Sequence, residues 1–232
     1  MYLYETHMHT SPLSACGGAS VRENLEYYKS VGYAGVFLTD HFIDGNINRE
    51  LRALTYEEKI KAYFGVYEEA REIAVEIGID VLSGIEMSHQ GHDFLVYGIG
   101  TEWCLEHPDM DKMKKSELLP ILMADGALVI QAHPYREAKH IDHIELFPRC
   151  IHGVEIFNAG DCELSNSMAA HFCSSYGLIP FAGSDNHRAG ASLLFGGMAT
   201  ERPIESVEDF ISMVKSGEAR PFVRDGSGVR LI

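Results

Sequence analysis

Two pairs of side chains stand two residues apart near opposite ends of the chain, His7 with His9 and Asp185 with His187. Alternate residues of an extended strand point to one face, so each pair can offer both groups to one ion. Between them come Asp40-His41, Glu86 and His133, and all five segments follow short apolar runs. Imidazole and carboxylate together suit zinc, manganese or iron. A histidine pair alone says little; recurrence of ligand-type residues after five apolar runs says more. The economical reading is a ring of strands aiming His7, His9, His41, Glu86, His133, Asp185 and His187 at a shared metal centre. Glu86 is placed to bridge two ions, and His41 is preferred to Asp40 as a ligand, with Asp40 as its support. Either His92 or Asp93 could complete the set. His107, His140, His143, His152 and His171 lack a partner pattern and read as surface or structural.

The elements that must position these residues alternate. Strands are expected at 2–6, 35–39, 80–85, 94–99, 127–132, 153–157 and 179–183, and helices at 21–31, 56–77, 113–124, 164–176 and 206–216. Ser20 and Thr55 read as N-caps, and Gly78, Gly126 and Gly177 as stops. Continuous apolar strands such as Ala127–Ala132 suit a parallel sheet covered on both faces. The expectation is an α/β chain, residues 1–232 forming one domain. A closed barrel is preferred to an open sheet, because only a barrel brings the loops after every strand to one mouth.

Composition narrows the function. With 34 acidic against 19 basic residues the formal charge is −15, which disfavours long nucleic acid but not a small anion, since bound cations invert the local field. No apolar run approaches a membrane span, and no basic-then-apolar leader opens the chain. The cysteines, Cys16, Cys104, Cys150, Cys162 and Cys173, are odd in number and form no CxxC pair, so free thiols in a cytoplasmic setting are expected. No nucleophile elbow, Walker loop or dinucleotide fingerprint is present; Gly17-Gly18 and Gly196-Gly197 read as turns.

In order along the chain, His7-Met8-His9-Thr10, Thr39-Asp40-His41, Ala132-His133-Pro134 and Ser184-Asp185-Asn186-His187 resemble the four motifs of the PHP (polymerase and histidinol phosphatase) superfamily. Glu86 fits that family's bridging glutamate, and Val154–Asn158 resembles a strand between its last two motifs. The resemblance implies a distorted TIM-like (β/α)7 barrel holding two or three divalent ions. It implies one ion at His7, His9, Glu86 and Asp185, a second at Glu86 and His133 with a group near His92 or Asp93, and a third at His41 and His187. The sequence departs from the pattern at Leu13–Gly17, where many members carry Ser-Asp-Gly or a histidine; Cys16 could ligate there or be a buried or turn residue.

The expected chemistry is hydrolysis of a small phosphate ester by hydroxide held between metals. Arg136 and Arg188 are placed to bind phosphate oxygens or to lie exposed, and Asp40, His41 or His187 could act as general acid. Two alternatives remain. An amidohydrolase-type enzyme cleaving C–N bonds also opens with His-X-His, but no lysine here follows an apolar strand. A non-catalytic metal-binding domain would need the same ligands without turnover.

Overall fold

The computed structural model describes residues 1–43, 45–139 and 141–232. The chain begins β1 (Tyr2–Glu5), α1 (Val21–Ser30), β2 (Gly35–Leu38), β3 (His41–Phe42), α2 (Arg49–Arg52), α3 (Tyr56–Ile77), β4 (Asp80–Ser83), β5 (Ile85–His89) and β6 (His92–Tyr97). Then come α4 (Thr101–Glu106), α5 (Lys115–Ala124), β7 (Leu128–Gln131), β8 (Gly153–Asn158), α6 (Glu163–Tyr176) and β9 (Ile179–Gly183). It finishes β10 (Phe195–Thr200), α7 (Val207–Ser216), β11 (Arg220–Asp225) and β12 (Gly228–Leu231). The expected helix signals operate. Ser20 with Glu23 and Thr55 with Glu58 form reciprocal capping boxes on α1 and α3, and Gly78 ends α3 in the left-handed conformation.

The α/β expectation holds, but the strands pair as two sheets of six, in the orders β12-β11-β10-β1-β2-β4 and β3-β5-β6-β7-β8-β9. An all-parallel arrangement does not form. β6 runs antiparallel to both neighbours, since Gln90 (φ 49°) and Gly91 (φ 84°) close β5–β6 as a two-residue hairpin too short for a crossover. β10, β11 and β12, which lack a clear apolar alternation, add an antiparallel edge beside β1. Gly196 and Gly197 therefore lie within a buried strand rather than a turn.

The two sheets meet where the site residues emerge. The expected strand at 80–85 breaks at Gly84, where an added Cβ would stand 2.8 Å from the Tyr97 ring. Backbone bonds continue across the break, Gly84 N–H to Leu38 O and Glu86 N–H to Asp40 O, both at 3.0 Å. Opposite, His9 N–H donates to Asn186 O at 2.9 Å, joining the segments after β1 and β9. Below these strand ends Phe37, Tyr97 and Phe181, from β2, β6 and β9, pack around Phe210 of α7 in a fully buried cluster. A rigid apolar floor thus fixes the level from which the polar side chains project.

Candidate metal centre

Glu86 is the hub. Its Oε1 lies 3.1 Å from both His7 Nε2 and His133 Nε2, and its Oε2 lies 2.6 Å from His41 Nδ1 and 3.5 Å from His9 Nε2. Asp185 Oδ1 stands 3.0 Å from His9 Nε2 and 3.6 Å from His7 Nε2. His187 stacks on His9 with ring centroids 4.4 Å apart. All seven residues expected at the centre are thus brought together, from β3, β5 and the segments after β1, β7 and β9. Two of them carry strained backbone, His133 at φ 25° and Asp185 at φ 53°, a region L-residues rarely adopt and one that clusters at functional sites.

The histidines are held in the tautomer a metal needs. His7 donates from Nδ1 to Glu155 Oε1 at 3.0 Å, and His187 from Nδ1 to the Asp185 carbonyl at 2.8 Å; both partners can only accept. Ser14 Oγ donates to Asp40 at 2.6 Å and so accepts from His9 Nδ1 at 3.1 Å. In each ring the neutral form therefore keeps its Nε2 lone pair free, the usual arrangement of ligating histidine. Among the described residues, buried His7 Nε2, His41 Nδ1 and Glu86 Oε2 have no hydrogen-bond partner. Close approach without hydrogen-bond alignment, in a nitrogen and oxygen donor set, fits a divalent cation.

Donor atoms that lie within 4.8 Å of one another fall into groups: His7, His9 and Asp185; His7, Glu86 and His133; and His9, Cys16, His41 and His187. His7 therefore stands in two groups where one was expected, and Cys16 joins the third. Of the two open candidates, Asp93 lies nearer the centre, with Oδ2 3.8 Å from His133 Nε2, though it joins none of these groups. His92 faces away, with Nδ1 2.9 Å from Lys115 Nζ, and groups with His143 and Glu145, so His143 is not isolated as expected. His107 stacks on Trp103, His152 Nδ1 accepts from Val129 N–H, and His171 is exposed. His140 lies outside the described residues.

The expected catalytic residues divide. Arg136 lines the central cavity of ≈ 760 Å³, its Nη1 2.6 Å from Asp185 Oδ2. Arg188 is exposed and does not line that cavity; its guanidinium lies against Gly18, because the turn after His187 carries it outward. Asp40 also fails to reach the cavity. It is buried and accepts from Thr10 N–H, Thr10 Oγ1 and Ser14 Oγ, so its lone pairs serve the loop that holds Ser14 and His9. Burial lifts its carboxyl to about 6 against those three bonds.

Electrostatics follow from this crowding. Burial opposes charge on Glu86 and Asp185, yet His41 and His7 hold Glu86, and His7, His9 and Arg136 hold Asp185, well below the carboxylate range. Burial likewise opposes a charged His7, but Asp185, Glu155 and Glu86 raise it well above its ordinary value. His9 goes the other way, to about 4: burial outweighs Asp185 and Glu86, and charged His41 adds repulsion.

Sequence reasoning missed the residues that support the ligands. Glu155 accepts from His7, from His133 N–H and from Asn158; Glu5 accepts from the backbone of Thr6, His7 and Ser184 and from Tyr28 Oη. The available signal was a carboxylate inside an otherwise apolar strand, costly unless every lone pair is used. Replacing Glu5 by alanine leaves four buried donors unsatisfied, so Glu5→Ala is expected to destabilise the protein by about 3 kcal/mol or more in urea unfolding. A change within 0.5 kcal/mol, roughly the level of a neutral surface substitution, would contradict this.

Fold and site together define an α/β protein with a buried, carboxylate-centred set of metal-type ligands. No protein-family model matches the chain, and no curated protein matches it. Solved structures do. A protein from Bacteroides vulgatus described as two-domain and containing a predicted PHP-like metal-dependent phosphoesterase aligns at TM-score 0.69 and 15% identity, covering 96% of this chain and 65% of that one. PsfC from Pseudomonas syringae aligns at TM-score 0.63 and 16% identity, covering 91% and 88%. A Bifidobacterium adolescentis protein whose name proposes a metal-dependent phosphoesterase aligns at TM-score 0.56 and 14% identity, covering 81% and 88%. At these identities the likeness is one of fold, and it agrees with the resemblance carried by the motifs.

Proposed function

We propose that the protein is a metal-dependent phosphoesterase acting on a small phosphate ester. The observation that carries this reading is the convergence of His7, His9, Glu86, His133 and Asp185, unpartnered atoms among them, beside the cavity that Arg136 also lines. The fold reading is a distorted seven-stranded barrel. Its support is the backbone bonding that continues β2 into β3 and β4 into β5, and the Met8–Asn186 bridge joining the segments after β1 and β9.

His7, His9 and Asp185 would hold one ion and Glu86, His133 and Asp93 a second, with Glu86 between them. Divalent ions there supply charge neutralisation on phosphoryl oxygens and activation of water at neutral pH. Zinc, manganese and iron all suit the donors. Once those histidines ligate as neutral imidazoles, Glu86, Asp93 and Asp185 face Arg136 alone, and the ions would supply the positive charge that an anion needs. Arg136 holds Asp185 with one nitrogen, and its planar fork can offer others to a phosphoryl oxygen. In the reaction water adds to phosphorus, the ester P–O bond breaks and the alcohol leaves with a proton. The cavity volume of ≈ 760 Å³ suits a metabolite-sized ester. No lysine lines it among the described residues, which disfavours the amidohydrolase alternative built around a modified lysine.

The test is elemental analysis of the purified protein followed by turnover of a panel of phosphomonoesters and phosphodiesters, with and without chelator. Metal-dependent turnover is expected; a protein that takes up no divalent metal, or a loaded one inert on the whole panel, refutes the reading. Arg136→Lys keeps the charge and loses the fork, so KM should rise about tenfold at unchanged metal content. An unchanged KM would remove Arg136 from substrate binding.

A further inference from the structure

We propose that Cys16 is a thiolate ligand which, with His41 and His187, forms a sulfur-containing third metal position at the edge of the centre. The inference rests on the metal-centre reading above. Cys16 Sγ and one nitrogen each of His9, His41 and His187 lie within 4.8 Å of one another. His9 is the least available of the four, since its free Nε2 is 3.0 Å from Asp185. His187 has Nδ1 committed to the Asp185 carbonyl, so the nitrogen it can give is Nε2. Cys16, His41 and His187 would therefore supply three ligands to a zinc-type ion beside the cavity they line.

A second observation lies at His41, one member of that group. Glu86 Oε2 is buried, faces His41 Nδ1 at 2.6 Å, and neither atom has a hydrogen-bond partner among the described residues. The loop carrying Cys16 is also built to hold it. Ser14 pairs with Ile47 across an isolated bridge, Ala15 N–H donates to Asn46 O at 2.7 Å, and Gly18 N–H donates to His187 O at 2.6 Å. Gly17 is pressed so close that an added Cβ would stand 2.4 Å from the Thr10 carbonyl carbon. The thiol is thus tied by backbone bonds to the segments that carry its partners. Thiolate is a soft donor, so this position selects zinc over manganese or magnesium.

Cobalt(II) distinguishes the outcomes. Chelator-stripped protein is reloaded with cobalt and its near-ultraviolet spectrum recorded, since thiolate ligation gives a sulfur-to-cobalt charge-transfer band that imidazole and carboxylate do not. The band is expected in the unaltered protein, lost in Cys16→Ser, and kept in Cys162→Ser, which changes an exposed cysteine at the start of α6. Zinc content should fall by about one equivalent in Cys16→Ser alone. Bound cobalt without the band, or a band that survives Cys16→Ser, overturns this inference while leaving the metal centre intact. Failure to bind cobalt at all overturns both.

Discussion

Glu86→Gln is expected to lose bound metal and to cut turnover by at least ~100-fold, the upper range seen when even a supporting residue of a metal site is changed. Among the described residues no other side chain touches as many ligands: Oε1 faces His7 and His133, and Oε2 faces His9 and His41. Glutamine has nearly the same shape but one oxygen and no charge. Whichever way the amide turns, its NH₂ points at two imidazoles, and a nitrogen that carries two protons cannot ligate. Without metal the variant loses the pairing of Glu86 with protonated His41 and His7, so it should unfold more easily than the metal-free parent while keeping the same circular dichroism at room temperature. The unchanged dichroism separates loss of ligation from loss of fold. Elemental analysis, turnover on the best ester, and circular dichroism and thermal unfolding of both metal-free forms make the measurement. A variant that keeps its metal and its rate would show that Glu86 does not bridge.

Stripping the metal should lower Tm by about 10 °C and make stability fall with rising pH. The first figure follows from ligand linkage, about 4 kcal/mol at a thousandfold excess over Kd, and from 2–4 °C per kcal/mol for a domain of this size, both order-of-magnitude values. The second follows from the imidazoles. Without metal, protonated histidines balance the buried carboxylates: His41 is raised to about 11 by Glu86 and Cys16 against its burial, and His7 and His133 are raised as well. A raised histidine contributes fully below its unfolded value of 6.5 and loses that contribution as pH climbs through the folded one. Each proton held only by the folded state is worth about 1.4 kcal/mol per pH unit. On the acid side Glu86 and Asp185 behave oppositely. Their contribution is present above the unfolded carboxylate range and fades as pH falls through their depressed folded values. Metal requires neutral imidazole, so loaded protein should show little alkaline decline, and metal uptake should release protons. Calorimetry of stripped and loaded protein at pH 6 and pH 9 decides this. Equal Tm values for the two forms, or a stripped form more stable at the higher pH, would defeat it.

The seven ligand-type residues were legible in the sequence because His, Asp and Glu after apolar strands are costly unless used, and each sits within a few residues of its strand. The helices were legible through their caps, as Ser20-Glu23 and Thr55-Glu58 show. The strand pairing was not. β6 reverses because Gln90-Gly91 makes a hairpin, and β10–β12 have no alternation strong enough to declare them. Arg136 and Arg188 each stand near a motif histidine, and the chain's turn after each one separates the cavity-lining arginine from the exposed one.

The sequence by itself determined which donor types the chain offers and that they fall after strands, since both are local properties. The tertiary structure decided how those donors are shared: His7 between two groups, Asp93 nearer to His133 while His92 groups with His143, Asp40 as support for Ser14 and His9, and Cys16 beside His41 and His187. Such sharing depends on contacts as remote as that between Glu155 and His7, 148 residues apart. The energy of a buried polar group depends on which partner reaches it, and that is settled only when the strands are brought together.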